Sequence, residues 1–234
     1  MSDKPPTNIW TRRSVLQGAA AVAAMAALSP AAAALPNAIS PDEALRRLQT
    51  GNARYVRNEL NAKDFSAGRA ARAQSQFPVA AILGCADSRV SPELIFDQGP
   101  GELFVCRVAG NYMNVDNLAS LEYGVEVLGA PLVVVLGHTN CGAVKAVLQY
   151  AKDRKPLPGH LHMIVDALYP GVAESIKQGQ SDQLDHAIEA NVRHNVQRLQ
   201  NAHPVIAKAL DEHKVKILGA IYELDTGKVR FLPS

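Results

Sequence analysis

Apolar residues in this chain come in short, nearly continuous runs, not in strict alternation with polar ones. Residues 79–83, 103–108, 132–136 and 215–222 form four such runs, and 229–232 a shorter one. Continuous runs of this length predict strands buried on both faces, as in a parallel sheet. Between them, apolar positions recur at helical spacing over 118–128, 143–151, 163–177, 182–200 and 204–213. This alternation predicts an α/β fold, with a mainly parallel central sheet flanked by helices and 229–232 as an edge strand. Ahead of the sheet, Ser40-Pro41-Asp42-Glu43 predicts a helix start. Ser40 is the N-cap, Pro41 takes the first helical position and Glu43 completes a capping box. The helix continues through Leu45, Leu48, Tyr55 and Val56, with Gly51 as a break. Residues 62–74 are polar and alanine-rich, and predict loop and short helix.

The first 34 residues follow a different pattern. Arg12 and Arg13 precede an apolar, alanine-rich stretch over 15–28, and Ala31 to Ala34 follow Ser29-Pro30. A charged start, a short apolar core and a small-residue end predict an export signal over 1–34. The stretch is short of the ~20 strongly apolar residues of a membrane span. Thr11-Arg12-Arg13-Ser14-Val15-Leu16-Gln17 resembles the twin-arginine signal, whose pathway carries folded proteins. The expectation is a periplasmic or otherwise exported protein, with residues 35–234 as a single domain and no stable membrane insertion once the signal is removed. Lys4, Arg12 and Arg13 against Asp3 account for the whole formal charge of +2. The remainder is balanced, which argues against a nucleic-acid partner.

Candidate chemistry gathers at two strand ends. One apolar run ends on Gly84-Cys85, another on Gly137-His138, and in sheets of this class ligands bind beyond the carboxyl ends of strands. Cys85-Ala86-Asp87-Ser88-Arg89 and His138-Thr139-Asn140-Cys141 together offer two thiolates, one imidazole and one carboxylate. Sulfur and nitrogen donors favour zinc over magnesium or calcium. Two sulfurs and one nitrogen leave a fourth position, which a catalytic zinc keeps for water. The competing reading is two core cysteines and a core histidine. With Cys106 the chain has three cysteines, an odd count that does not suit a disulfide scaffold. Cys106 reads as a small buried hydrophobe in mid-strand. His160 and His162 form an H-x-H pair in a Pro/Gly-rich loop and read as solvated.

These two motifs resemble the zinc motifs of the beta-class carbonic anhydrases. The resemblance extends to Gly51-Asn52-Ala53-Arg54-Tyr55, to 104–111, to Ser120-Leu121-Glu122-Tyr123, to 132–144 and to 219–229. It implies reversible hydration of carbon dioxide to bicarbonate and a proton by a zinc-bound hydroxide. It implies Cys85, His138 and Cys141 as zinc ligands and Asp87 and Arg89 as the catalytic pair. In such sites the carboxylate either pairs with the arginine or binds the metal as a fourth ligand, so Asp87 is also a possible ligand. Gln76 and Gly142 fall at substrate-contacting positions. The position that carries a regulatory tryptophan in another subgroup is Ile82, which together with Gln76 points to the plant-like subgroup. The resemblance also implies a homodimer or higher homo-oligomer. Two alternatives share these residues: a carbonyl sulfide or carbon disulfide hydrolase, and a non-catalytic zinc-containing module that binds bicarbonate.

Overall fold

The computed structural model describes residues 39–178 and 183–233. The export signal expected over 1–34 lies outside them. Helix α1 (Pro41–Val56) starts where the sequence predicts, with the Ser40 hydroxyl accepting from the Glu43 N–H at 3.2 Å. The reciprocal half of the capping box is replaced: the Glu43 carboxylate takes Arg46 at 2.7 Å and Arg47 at 3.0 Å. Nor does Gly51 break the helix. It lies within α1, where a Cβ would fall 1.8 Å from the Phe96 carbonyl oxygen. The glycine is a point of close backbone approach.

Beyond the short helix α2 (Arg69–Arg72) the chain enters strand β1 (Ala80–Gly84). A single turn, α3 (Pro92–Ile95), was not foreseen from the pattern and leads to β2 (Leu103–Arg107). Helix α4 (Val115–Glu122) starts earlier than its apolar periodicity suggests, because Asn114 caps it by accepting from the Asn117 N–H at 2.8 Å. It runs into a π-helical turn at Tyr123–Val127. Then come β3 (Leu132–His138), α5 (Gly142–Asp153), α6 (Leu161–Gln178), α7 (Gln183–Gln200), α8 (Val205–Asp211), β4 (Lys216–Tyr222) and β5 (Val229–Phe231).

The five strands form one sheet in the order β2-β1-β3-β4-β5. All neighbours pair parallel except β5, which runs antiparallel on the edge as expected. Successive side chains of a strand point to opposite faces, and here both faces are covered. Ala81, Leu83, Val133 and Val135 pack with Val144 and Val147 of α5, Leu168 of α6 and Val192 of α7. Ala80, Ile82, Val134 and Leu136 pack with Ala44 and Leu48 of α1 and with Phe96. Double burial is why the strand runs are continuous in sequence. Cys106 is buried in β2. Among the described residues, no helix is long and apolar enough to cross a membrane.

Candidate metal centre

Cys85 directly follows β1 and His138 closes β3, and the two strands are parallel neighbours. Their register sets Gly84 beside Leu136, so both potential ligands leave the same edge of the sheet within one residue of each other. Gly137 lets α7 seat against this edge, since a Cβ there would stand 2.6 Å from a Val192 methyl. Asn140 then turns the chain back at φ 58, a conformation asparagine tolerates better than most residues. The reversal places Cys141 as the N-cap of α5. The two sulfurs and the imidazole nitrogen converge within 4.8 Å of one another, and all three residues are buried.

The histidine is set up as a ligand. Its Nδ1 stands 2.9 Å from the Thr139 carbonyl oxygen. A carbonyl can only accept, so Nδ1 carries the proton and Nε2 is left with a lone pair. Nε2 is buried and has no hydrogen-bond partner among the described residues. Leaving such a group unpaired costs about 1–3 kcal/mol. An orphaned imidazole lone pair beside two buried sulfurs fits zinc, which takes these donors.

The sulfurs share charge between them. A hydrogen bond from Cys141 is the largest cause that holds the Cys85 thiol down, to about 4, and the Gly110 N–H adds to it from 3.2 Å. The same contact, together with burial, pushes the Cys141 thiol up.

Asp87 lies beside the centre, with Oδ2 3.8 Å from His138 Nε2. Both of its oxygens are engaged by Arg89. Nε donates to Oδ1 at 2.9 Å and Nη2 to Oδ2 at 2.7 Å, while the Arg89 backbone N–H adds a bond to Oδ1 at 3.0 Å. The Arg89 side chain is the main reason the Asp87 carboxyl sits well below the usual carboxylate range. Of the two arrangements open to Asp87, the structure therefore has the arginine pair. Gly142 opens α5 next to Cys141, and a Cβ there would meet nothing within 4 Å. Gln76 is not brought to the centre. It is exposed and lines a cleft with Arg54, Lys63 and Asp97, whose walls include none of Cys85, Asp87, His138 or Cys141. His160 and His162 are both exposed, but only His160 lies in the loop; His162 falls in the first turn of α6.

Sequence reasoning missed the groups that fix this loop. Arg107 donates from Nε to the Cys85 carbonyl at 2.9 Å and from Nη2 to the Asp87 carbonyl at 2.7 Å. The available signal was Arg107 standing inside the otherwise apolar run 103–108.

The carbonic anhydrase family model matches residues 80–229. A carbonic anhydrase of Mycolicibacterium smegmatis is 39% identical over 196 residues, covering 83% of this chain and 94% of its own. Among solved structures, a Coccomyxa beta-carbonic anhydrase in complex with acetazolamide superposes with a TM-score of 0.63. It is 31% identical and covers 71% of this chain and 77% of that one. Tetrameric beta-carbonic anhydrases from Sordaria macrospora share the fold, with a TM-score of 0.63 at 24% identity over 72% of this chain and 88% of theirs. The matches run through the sheet and across the three convergent residues Cys85, His138 and Cys141, and the chain belongs to the beta-class carbonic anhydrases, which use zinc.

Proposed function

We propose that Cys85, His138 and Cys141 hold one zinc ion and that Asp87 and Arg89 work beside it, in a protein that catalyses the reversible hydration of carbon dioxide to bicarbonate and a proton. The observation that carries the assignment is the buried, unpartnered Nε2 of His138. Zinc in such a site supplies Lewis-acid activation of water. The chain supplies orientation. An ionised carboxylate can only accept hydrogen bonds. Asp87, kept ionised by Arg89, accepts the O–H of the attacking water and aims its lone pair at the carbon. Arg89 holds that carboxylate in place with a two-pronged grip. Gly142 leaves space beside Cys141 for a substrate oxygen to approach the backbone at the start of α5. Gln76 keeps a substrate role on resemblance alone, and Gln76→Ala with an unchanged KM removes it.

Metal content and carbon dioxide hydration, measured by stopped flow on the same samples, test the centre. His138→Ala and Cys141→Ala lose both; full zinc occupancy in either overturns the ligand set. Relatives named as carbonic anhydrases do not favour a sulfur-analogue hydrolase, and the intact Asp87–Arg89 pair argues against a non-catalytic bicarbonate binder.

Ile82 at the position of the regulatory tryptophan supports the plant-like subgroup. Assembly as a homodimer or higher homo-oligomer is supported by the tetrameric neighbours and by exposed Val115, Tyr123 and Val127. Sedimentation of a monomer at micromolar concentration would reject it. Export by the twin-arginine route rests on Arg12 and Arg13 and the alanine-rich run after them. Lysine at both positions leaves precursor in the cytoplasm, and normal periplasmic delivery of that variant excludes the route.

A further inference from the structure

Helix α7 carries three polar side chains on one flank, at Asn191, Asn195 and Arg198. The two asparagines are each 1% exposed, in a helix otherwise buried through Ala187, Ile188, Val192 and Leu199. All three residues bond the turn that follows β2. Asn191 Nδ2 donates to the Gly110 carbonyl at 2.8 Å. Asn195 Oδ1 accepts from the Met113 N–H at 2.8 Å, and Arg198 Nη1 donates to the Met113 carbonyl at 2.8 Å. Asn195 Nδ2 also donates to Asn191 Oδ1 at 3.0 Å. That bond fixes which way the Asn191 amide faces, with its NH₂ on Gly110.

Gly110 is confined from the other side as well. Its φ is +91, and a Cβ would lie 2.7 Å from a Leu168 methyl and 3.2 Å from the Ala143 Cβ. Its N–H points at the Cys85 sulfur, 3.2 Å away. The chain thus places a backbone donor on this sulfur in a residue whose carbonyl is held by a buried asparagine of another element; the Asp87 backbone also bonds the sulfur from within its own loop.

We propose that Asn191 is a positioning residue, which sets the electron-donating strength of the Cys85 sulfur by holding the Gly110 N–H against it. An N–H bond to a thiolate draws charge from the sulfur and lowers its donation to a metal; groups outside the ligand set commonly tune metal centres in this way. The proposal rests on Cys85 being a ligand. A merely structural Asn191 would affect folding stability and leave the sulfur unchanged.

The test uses the purified protein loaded with cobalt(II), whose thiolate-to-metal charge-transfer band reports the sulfur's donor strength. Asn191→Ala should move this band to longer wavelength, because the thiolate loses its hydrogen bond. Leu199→Ala, a fully buried truncation in the same helix without a bond to the turn, should lower the unfolding midpoint and leave the band in place. An unmoved band in Asn191→Ala, or an equal shift in Leu199→Ala, overturns the proposal. Should Asn191→Ala not fold, the wild-type protein loaded with a spin-active cadmium isotope decides. Scalar coupling between the metal and the Gly110 amide proton supports the bond to sulfur, and its absence rejects it. Cys85→Ala separates the two levels. Loss of that sulfur's part of the band upholds the ligand assignment whatever Asn191 does, while an undiminished band rejects the ligand assignment itself.

Discussion

Replacing Arg89 by alanine isolates what the arginine does for Asp87. The variant loses the two side-chain bonds, at 2.9 and 2.7 Å, and keeps the backbone N–H bond to Oδ1. Hydrogen bonds to a charged group contribute about 1.5–3 kcal/mol each when buried. The Arg89 side chain is 50% exposed, so solvent screening brings the pair closer to the ~1 kcal/mol ceiling of exposed ion pairs. About 1–2 kcal/mol for the whole grip is the resulting magnitude, a factor of about 5–30 in the population of the held carboxylate. If that population limits the chemical step, kcat for carbon dioxide hydration falls by the same factor. Zinc content stays at the wild-type level, because the three ligands are untouched. Arg89→Lys restores the charge without the planar fork and should fall between the two. Stopped-flow hydration with a pH indicator, and metal analysis of the same samples, give both quantities. Wild-type kcat in Arg89→Ala would refute the reasoning, and so would parallel loss of zinc and rate, which would make the arginine a support for the centre and not for Asp87.

The same pair gives a pH signature. The folded-state pKa of Asp87 is depressed, so its stabilisation is complete above the unfolded value near 3.8 and is lost as pH falls below it. The unfolding free energies of wild type and Arg89→Ala should therefore differ near neutral pH and converge in acid; a constant gap contradicts this. Metal binding should release about one proton near neutral pH and not two, because Cys85 is held down to about 4 while Cys141 keeps its proton. Calorimetry in buffers of different ionisation enthalpy counts the protons, and a release of two removes the shared-proton picture. Gly51→Ala would gain about 1 kcal/mol of helix propensity on an open surface. Here the new methyl would meet the Phe96 carbonyl at 1.8 Å, so urea unfolding should show a net loss of about 1–3 kcal/mol. A higher urea midpoint would mean that α1 does not lie this close.

The strands were legible because burial on both faces leaves a trace in local sequence. Leu132–His138 is buried along its whole length and reads as an unbroken apolar run. What such runs do not carry is order. Nothing in the sequence of β1 or β3 says that they are neighbours, yet that adjacency and its register bring Cys85 to His138. Motif resemblance stood in for this missing information. Local signals also miscarried where a distant group competed for the same atoms. Glu43 has the spacing of a capping box, but Arg46 and Arg47 take its carboxylate. Gly51 has the chemistry of a break, but the approach of Phe96 gives the glycine another reason to be there.

The ligands and the groups that hold them differ in legibility for a physical reason. Cysteine and histidine at strand ends are conspicuous because few residue types bind a soft metal. The Arg107 clamp on the Cys85 and Asp87 carbonyls and the Asn191 bond to Gly110 join backbone atoms to side chains remote in sequence. Any backbone carbonyl can accept such a bond, so the partner residue leaves no mark at the site it supports. A buried polar side chain on an apolar helix face is the trace that does survive. Asn191 and Asn195, one helical turn apart among Ala187, Ile188, Val192 and Leu199, are that trace. Each would be costly to bury unpaired, so their presence on that face implies partners, and those partners are the turn whose N–H meets the Cys85 sulfur. The group of the centre left unpaired among the described residues is His138 Nε2, the atom proposed to bind the metal.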